Sequence, residues 1–338
     1  MGSGVGMADA DGDGEFGVDR ILADIHGLVA QNTGGEVADY IPELSKMDPT
    51  PFGIAVTTVG GAVHGIGDTQ APFTIQSTSK AFTYCMALEA IGRAKVLERV
   101  GVEPSGDPFN AIEFDPVTRR PYNPMVNAGA ITVAGILRDV HGDAAFDEVL
   151  ARLSAAAGRR LVLDEAVYRS EAATGHRNRA IGHLLVSVGA LAEPMEPALD
   201  LYFRQCSISV TARDLATMAA TIANMGDQPV TGREVFDIAA VRDTQAVMFT
   251  CGMYDYSGNW AYDVGVPAKS GVGGGIMGVV NRQLGIGTFS PRLDRKGNSV
   301  RGVESFRLLS AELGLHAFDL TNPGSAFVDS FFAGAGRS

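Results

Sequence analysis

The chain has 338 residues, 46% of them hydrophobic and 20% charged, with a formal net charge of -12. That balance suits a soluble globular protein with a large core, built as one compound domain or as two lobes. The acid excess repels phosphate groups and so argues against nucleic acid or a membrane as partner, and no apolar run approaches the roughly 18 residues of a spanning helix.

Residues 1–16 read as a disordered acidic tail. Asp9, Asp11, Asp13 and Gly14 imitate the start of an EF-hand loop, but Arg20 stands where such a loop needs a bidentate glutamate, so no calcium site is expected. The stretch is unlike a secretory signal, and Cys85, Cys206 and Cys251 form no CxxC pair; reduced thiols in a cytoplasm are expected. The six histidines are scattered without ligand spacing, so no metal is expected and His64 reads as structural.

From about residue 18, "VDRILADIHGLVAQN" has helical periodicity, followed by a loop, "GGEVADYIPELSKMDP". "FGIAVTTV" and "AVHGIGD" read as a β-hairpin turning at Gly60-Gly61. Between about 76 and 250 the chain is mostly helical, with "KAFTYCMALEAIG", "AGAITVAGILRDVHG" and "FDEVLARLSAAAG" each stopping at a glycine. "TARDLATMAATIANMG" opens on a threonine cap with Asp214 in its first turn. After 260, "DVGVPAKSG", "IMGVVNR" and "LGIGTFSP" predict an antiparallel meander, and "RGVESFRLLSAELG" a last helix. The fold expected is α+β: an antiparallel sheet built from both chain ends and flanked by helices, plus a mainly helical lobe. Residues 17–75 and 255–325 are assigned to the sheet lobe, 76–254 to the helical lobe and 326–338 to a C-terminal tail, with a ligand cleft between the lobes.

The stretch "QSTSK" opens the helical block with two serines and one lysine. On a helix beginning at Ser77, Ser77 and Lys80 share a face, whereas Ser79 and Lys80 diverge. Backbone N–H groups at a helix start favour an oxyanion near the serine, and the same positive end beside Ala81, Phe82 and Met86 disfavours an ammonium on Lys80. Ser77 is therefore the candidate nucleophile and Lys80 its base. S-x-x-K alone is common, and a capping serine with a solvated lysine is its plain reading. Its weight comes from Lys269-Ser270-Gly271 at the end of an expected strand, because penicillin-recognising acyl-enzymes pair S-x-x-K with a K-[ST]-G strand on the opposite wall. No serine lies in G-x-S-x-G and no P-loop follows Gly271–Gly275.

Together, "VADYIPELSKMDP", "IQSTSKAF", "YNPMVNAGAI", "SEAATGHRNRAIGHLL", "LYFRQCSI", "CGMYDYSGNWAYDVGVPAKSGVGGGI" and "GIGTFSP", over about residues 38–290, resemble the serine-dependent glutaminases of β-lactamase-like fold. The resemblance implies hydrolysis of L-glutamine to L-glutamate and ammonia through a γ-glutamyl ester on Ser77, with Lys80 as base and no cofactor. It implies that Asn127, Glu171, Asn178 and Tyr202 hold substrate, that Tyr254 binds substrate and relays a proton, and that Tyr40 closes over the site. Val272 would act through its backbone N–H, beside that of Ser77, in the oxyanion hole. This set suits free glutamine: Glu171 for the α-ammonium, amide and phenol donors for the α-carboxylate; Arg177 beside Asn178 could steer that carboxylate, but an ordinary surface arginine is its commoner reading. A homodimer or homotetramer is implied as the assembly. The competing readings are a β-lactamase-like amidase or peptidase, and a non-catalytic amino-acid-binding module.

Overall fold

A computed structural model describes residues 17–106 and 114–319. The tails expected at 1–16 and 326–338 lie outside these residues, as does the EF-hand-like run from Asp9 to Gly14.

After the helix Val18–Val29, strands β1 (Gly53–Thr58) and β2 (Val63–Gly67) form the hairpin expected at Gly60-Gly61, with Gly61 at φ +89° donating its N–H to Thr58. Three very short strands follow: β3 (Phe73–Thr74), β4 (Val162–Leu163) and β5 (Ile208–Val210). The C-terminal meander is β6 (Ala268–Ser270), β7 (Gly275–Val280) and β8 (Leu284–Phe289), before the helix Val300–Leu313. The main sheet runs β2-β1-β8-β7-β6 with all pairs antiparallel, so strands from the two chain ends meet at the β1–β8 pair. That is the sheet expected from the sequence. The second sheet, β3-β5-β4, is an addition that ties Phe73–Thr74, just before the helical block, to two short strands within it.

Strand alternation sorts the core. Ile54, Val56, Ile276 and Ile286 face Leu22, Ile25, Phe306, Leu309 and Trp260 on one side. Ala55, Met277, Val279 and Phe289 face the helical block on the other. The helix Ala212–Ala223 lies directly on β8, because a β-carbon at Gly285 would fall 2.2 Å from the Ala220 nitrogen and one at Gly287 2.2 Å from the Ala212 oxygen. Its start is locked by a capping box: Asp214 donates its N–H to Thr211 Oγ1 at 3.2 Å, and the Thr211 N–H donates to Asp214 Oδ2 at 2.8 Å.

The glycine stops expected after the other helices are present, Gly92 after Ser79–Ile91, Gly142 after Asn127–His141 and Gly158 after Ala145–Ala157. One boundary differs from the expectation. The α-helix carrying Lys80 starts at Ser79, and Gln76–Thr78 form a tighter 3-10 turn before it, entered through Gln76 at φ +47°. Ser77 and Lys80 still occupy one continuous turn. His64, assigned a structural role, pairs its Nδ1 with Asp19 Oδ1 at 2.9 Å, tying β2 to the first helix.

Candidate active site

The 3-10 turn and the β6–β7 hairpin loop are pressed together backbone to backbone. A β-carbon at Gly273 would lie 2.5 Å from the Thr74 oxygen, and one at Gly271 3.0 Å from the Ile75 oxygen and 3.4 Å from the Ser77 nitrogen. Only glycines permit that approach, which is the physical content of the run "GVGGG". The loop is held by Gly271 N–H to Gly275 O at 2.9 Å and Gly274 N–H to Gly271 O at 3.0 Å. Between them Val272 is buried, and among the described residues its N–H has no hydrogen-bond partner. An unpartnered buried N–H beside the serine turn is a vacant donor position.

Ser77 is 5% exposed and is hydrogen-bonded to the Tyr254 hydroxyl. Tyr254 sits at φ +58° in the short turn Tyr254–Tyr256, and its hydroxyl donates to Ser270 O at 2.9 Å. Gln76 and Tyr254 thus both hold left-handed conformations that non-glycine residues seldom adopt, and they flank the same serine. Burial, the largest influence, drives the Tyr254 pKa up, so the phenol stays protonated.

Lys80 is fully buried. Its Nζ donates to Asn127 Oδ1 at 2.7 Å and to Met125 O at 3.3 Å. Burial outweighs the raising influence of Cys206 and Glu171 and lowers its pKa to about 8. Asn127 opens the helix Asn127–His141 and joins three other residues: it accepts from Lys80 and from the Tyr202 hydroxyl at 3.1 Å, and its Nδ2 donates to Asn178 Oδ1 at 3.0 Å. Glu171 and Asn178 come from different helices, Glu165–Thr174 and His176–Ser187, which break at Gly175 against Phe203. Arg177, beside Asn178, is exposed.

Glu171 is the unusual member. Val167 and Glu171, four apart, are the fully buried side chains of a helix that is otherwise partly or wholly exposed. Desolvation, against the opposing hydrogen bond from Gln76 and charge of Lys80, raises its pKa to about 8. Its Oε2 is buried with no partner among the described residues. A carboxyl oxygen left bare in a polar cluster marks a place where a bound cationic donor would fit.

Tyr40 keeps 53% of its surface exposed at the rim of a cleft of about 840 Å³, lined also by Val37, Asp255, Val272 and Lys296. Desolvation first, then the nearby Tyr254, Glu171 and Cys206, push its pKa well above the usual phenol value. The nine residues singled out from the sequence therefore lie around one site: Ser77, Lys80, Asn127, Glu171, Asn178, Tyr202 and Tyr254 inside, Val272 in its wall, and Tyr40 at its mouth. Gln76 was missed, although it touches Glu171; nothing in its residue type distinguishes it from an ordinary polar neighbour of Ser77. The Met125 carbonyl, which holds Lys80, was missed for the same reason. Among the described residues no cluster of three metal-ligating side chains occurs.

A family model for glutaminases matches residues 35–318. The Glutaminase 2 of Bradyrhizobium diazoefficiens is 53% identical over 297 residues, covering 88% of this chain and 47% of that protein, so the chain spans about half its length. The glutaminase of Nostoc sp. is 49% identical over 306 residues, covering 90% of this chain and 92% of the other. The crystal structure of Mglu in its glutamate form superimposes with a TM-score of 0.86 at 42% identity, over 90% of this chain and 71% of that one.

Proposed function

We infer the reaction from one premise, that the chain belongs to the glutaminase family: it hydrolyses L-glutamine to L-glutamate and ammonia through an ester on Ser77. The observation that carries this reading is the bare buried Oε2 of Glu171, on a carboxyl otherwise hydrogen-bonded to Gln76, in a cluster that also holds Lys80, Asn127, Asn178 and Tyr202. A γ-amide substrate with an α-ammonium matches this asymmetry, since Glu171 takes the ammonium and the amides of Asn127 and Asn178, with the Tyr202 hydroxyl once it leaves Asn127 Oδ1, take the α-carboxylate.

In this proposal the Ser77 Oγ attacks the side-chain carboxamide carbon as the neutral Lys80 amine takes its proton. The resulting oxyanion is received by the N–H groups of Ser77 and Val272, at the start of the helical turn. Collapse breaks the C–N bond. Tyr254 hands its proton to the departing nitrogen, which leaves as ammonia, and Tyr254 recovers a proton from the Lys80 ammonium. Water then opens the γ-glutamyl ester by the reverse sequence of proton transfers. Tyr40 closes the mouth of the cleft over the bound amino acid.

The buried state of Cys85, Cys206 and Cys251, all free thiols, suits the cytoplasm we propose as the compartment, and a homodimer or homotetramer is the assembly we propose. The described residues contain no helix long and apolar enough to cross a membrane.

The expected result is one ammonia and one glutamate per L-glutamine consumed, measured by coupled assay. L-Asparagine, one methylene shorter, is expected to react at least about tenfold more slowly because its amide falls short of Ser77 when the α-groups are seated. Hydrolysis of nitrocefin without ammonia from glutamine would favour the amidase reading. Binding of glutamine without ammonia release would favour the binding-module reading.

A further inference from the structure

Lys269 has no role in the reaction as derived above, yet it is wholly buried against the residue that relays the proton. Its Nζ donates to Gly252 O at 2.9 Å and to Ser270 O at 2.7 Å, and it sits 4.1 Å from the centroid of the Tyr254 ring. Ser270 O is the same carbonyl that accepts the Tyr254 hydroxyl. Lysine and tyrosine are thus tied through one acceptor, with the nitrogen over the phenol face and the phenol proton turned toward Ser270. That orientation leaves a lone pair of the Tyr254 oxygen facing Ser77.

We propose that Lys269 is a positioning residue for Tyr254: it pins the ring between the Gly252 and Ser270 carbonyls and supports negative charge on the phenol oxygen while the proton is away. The idea rests on the relay role assigned to Tyr254. An N–H dipole or ammonium over an aromatic face stabilises electron density in the ring, and that density peaks at the moment the phenol proton has been given to the departing nitrogen. The contribution is therefore larger in the transition state than in the substrate complex, and belongs in kcat rather than KM. Burial works against a charge on this amine, so it acts through its N–H groups and their fixed directions. Burial first, and then the Lys80 charge, push the Lys269 pKa well below the ordinary lysine value. Its two carbonyl partners and the ring face account for three donor directions. A purely structural lysine stapling β6 to Gly252 would instead affect stability and leave the rate of relay alone.

The test is a double-mutant cycle on the full chain: Lys269→Met, Tyr254→Phe and the double variant, assayed for ammonia release from glutamine beside the wild type. Lys269→Met is expected to lower kcat about 10²-fold with KM within about threefold of wild type. In the double variant, kcat is expected within about twofold of Tyr254→Phe alone, because Lys269 acts through a hydroxyl already removed. Lys269→Arg, which retains a cation and donors, should recover part of the loss, and it carries the same cycle if Lys269→Met does not fold. Losses that multiply independently, or a raised KM at unchanged kcat, would overturn the proposal while leaving the glutaminase reading intact. Tyr254→Phe at full kcat would remove the relay itself, and the role of Lys269 with it; a wild type that releases no ammonia would instead fail the underlying reaction.

Discussion

Ser77→Ala is expected to remove ammonia release, lowering kcat/KM by about 10⁴-fold or more, while the protein stays folded and still binds glutamate. The serine is buried and its hydroxyl is bonded to Tyr254, so the alanine costs only about 1 kcal/mol in stability, the usual worth of one buried hydrogen bond. What is lost is the atom that forms the ester. The neighbouring Ser79 provides the control. Its Oγ donates back to Gln76 O at 2.7 Å and receives Gln205 Nε2 at 3.4 Å, so it is committed to holding the turn. Ser79→Ala should keep kcat within about threefold, its effect appearing as about 1 kcal/mol of stability. Steady-state kinetics with thermal unfolding on both variants separates the two serines. Loss of activity in Ser79→Ala with retention in Ser77→Ala would reverse the assignment.

Lys80→Met is the second large expected effect, a fall of about 10³-fold in kcat, in the range that loss of a general base produces. Its pH signature follows from the same burial. Lys80 acts only as the neutral amine, and its pKa, depressed to about 8, makes that form the majority above about pH 8 and the minority below. Glu171 must be ionised to receive an ammonium, and its pKa, raised to about 8, also requires a rising pH. Both deprotonations act in one direction, so kcat/KM of the free enzyme should climb by at least about tenfold per pH unit below about pH 8 and then level. In Glu171→Gln one requirement disappears: the limb should become shallower while KM rises. A profile that is flat between pH 6 and 8 would contradict the base assignment.

How much of this could be read in the residues differs from part to part. Helix stops at Gly92, Gly142 and Gly158 were legible because glycine at a helix end has a local steric reason. The capping box at Thr211 and Asp214 and the hairpin at Gly60-Gly61 were legible for the same kind of local reason. The small sheet was not: β3 and β4 have two residues each and β5 three, too short for a period to register. Nor were the left-handed Gln76 and Tyr254, whose conformations are imposed by the packed hairpin rather than by their own preference. Glu171 could be matched to a motif, but its burial, which gives it an unpaired oxygen, depends on the helix face it shares with Val167. Lys269 was part of a recognised motif, and only its geometry over Tyr254 suggests a task.

The covalent intermediate is the centre of the account, and hydroxylamine partitioning tests it most directly. The enzyme would be supplied in turn with L-glutamine and with a γ-glutamyl anilide, in the presence of hydroxylamine, and the ratio of γ-glutamyl hydroxamate to glutamate measured for each. A shared ester on Ser77 predicts the same product ratio from both substrates, since the leaving group has gone before the nucleophiles compete. Ratios that differ with the leaving group, or glutamate alone from both, would show that water attacks the amide directly and would contradict the acyl-enzyme mechanism.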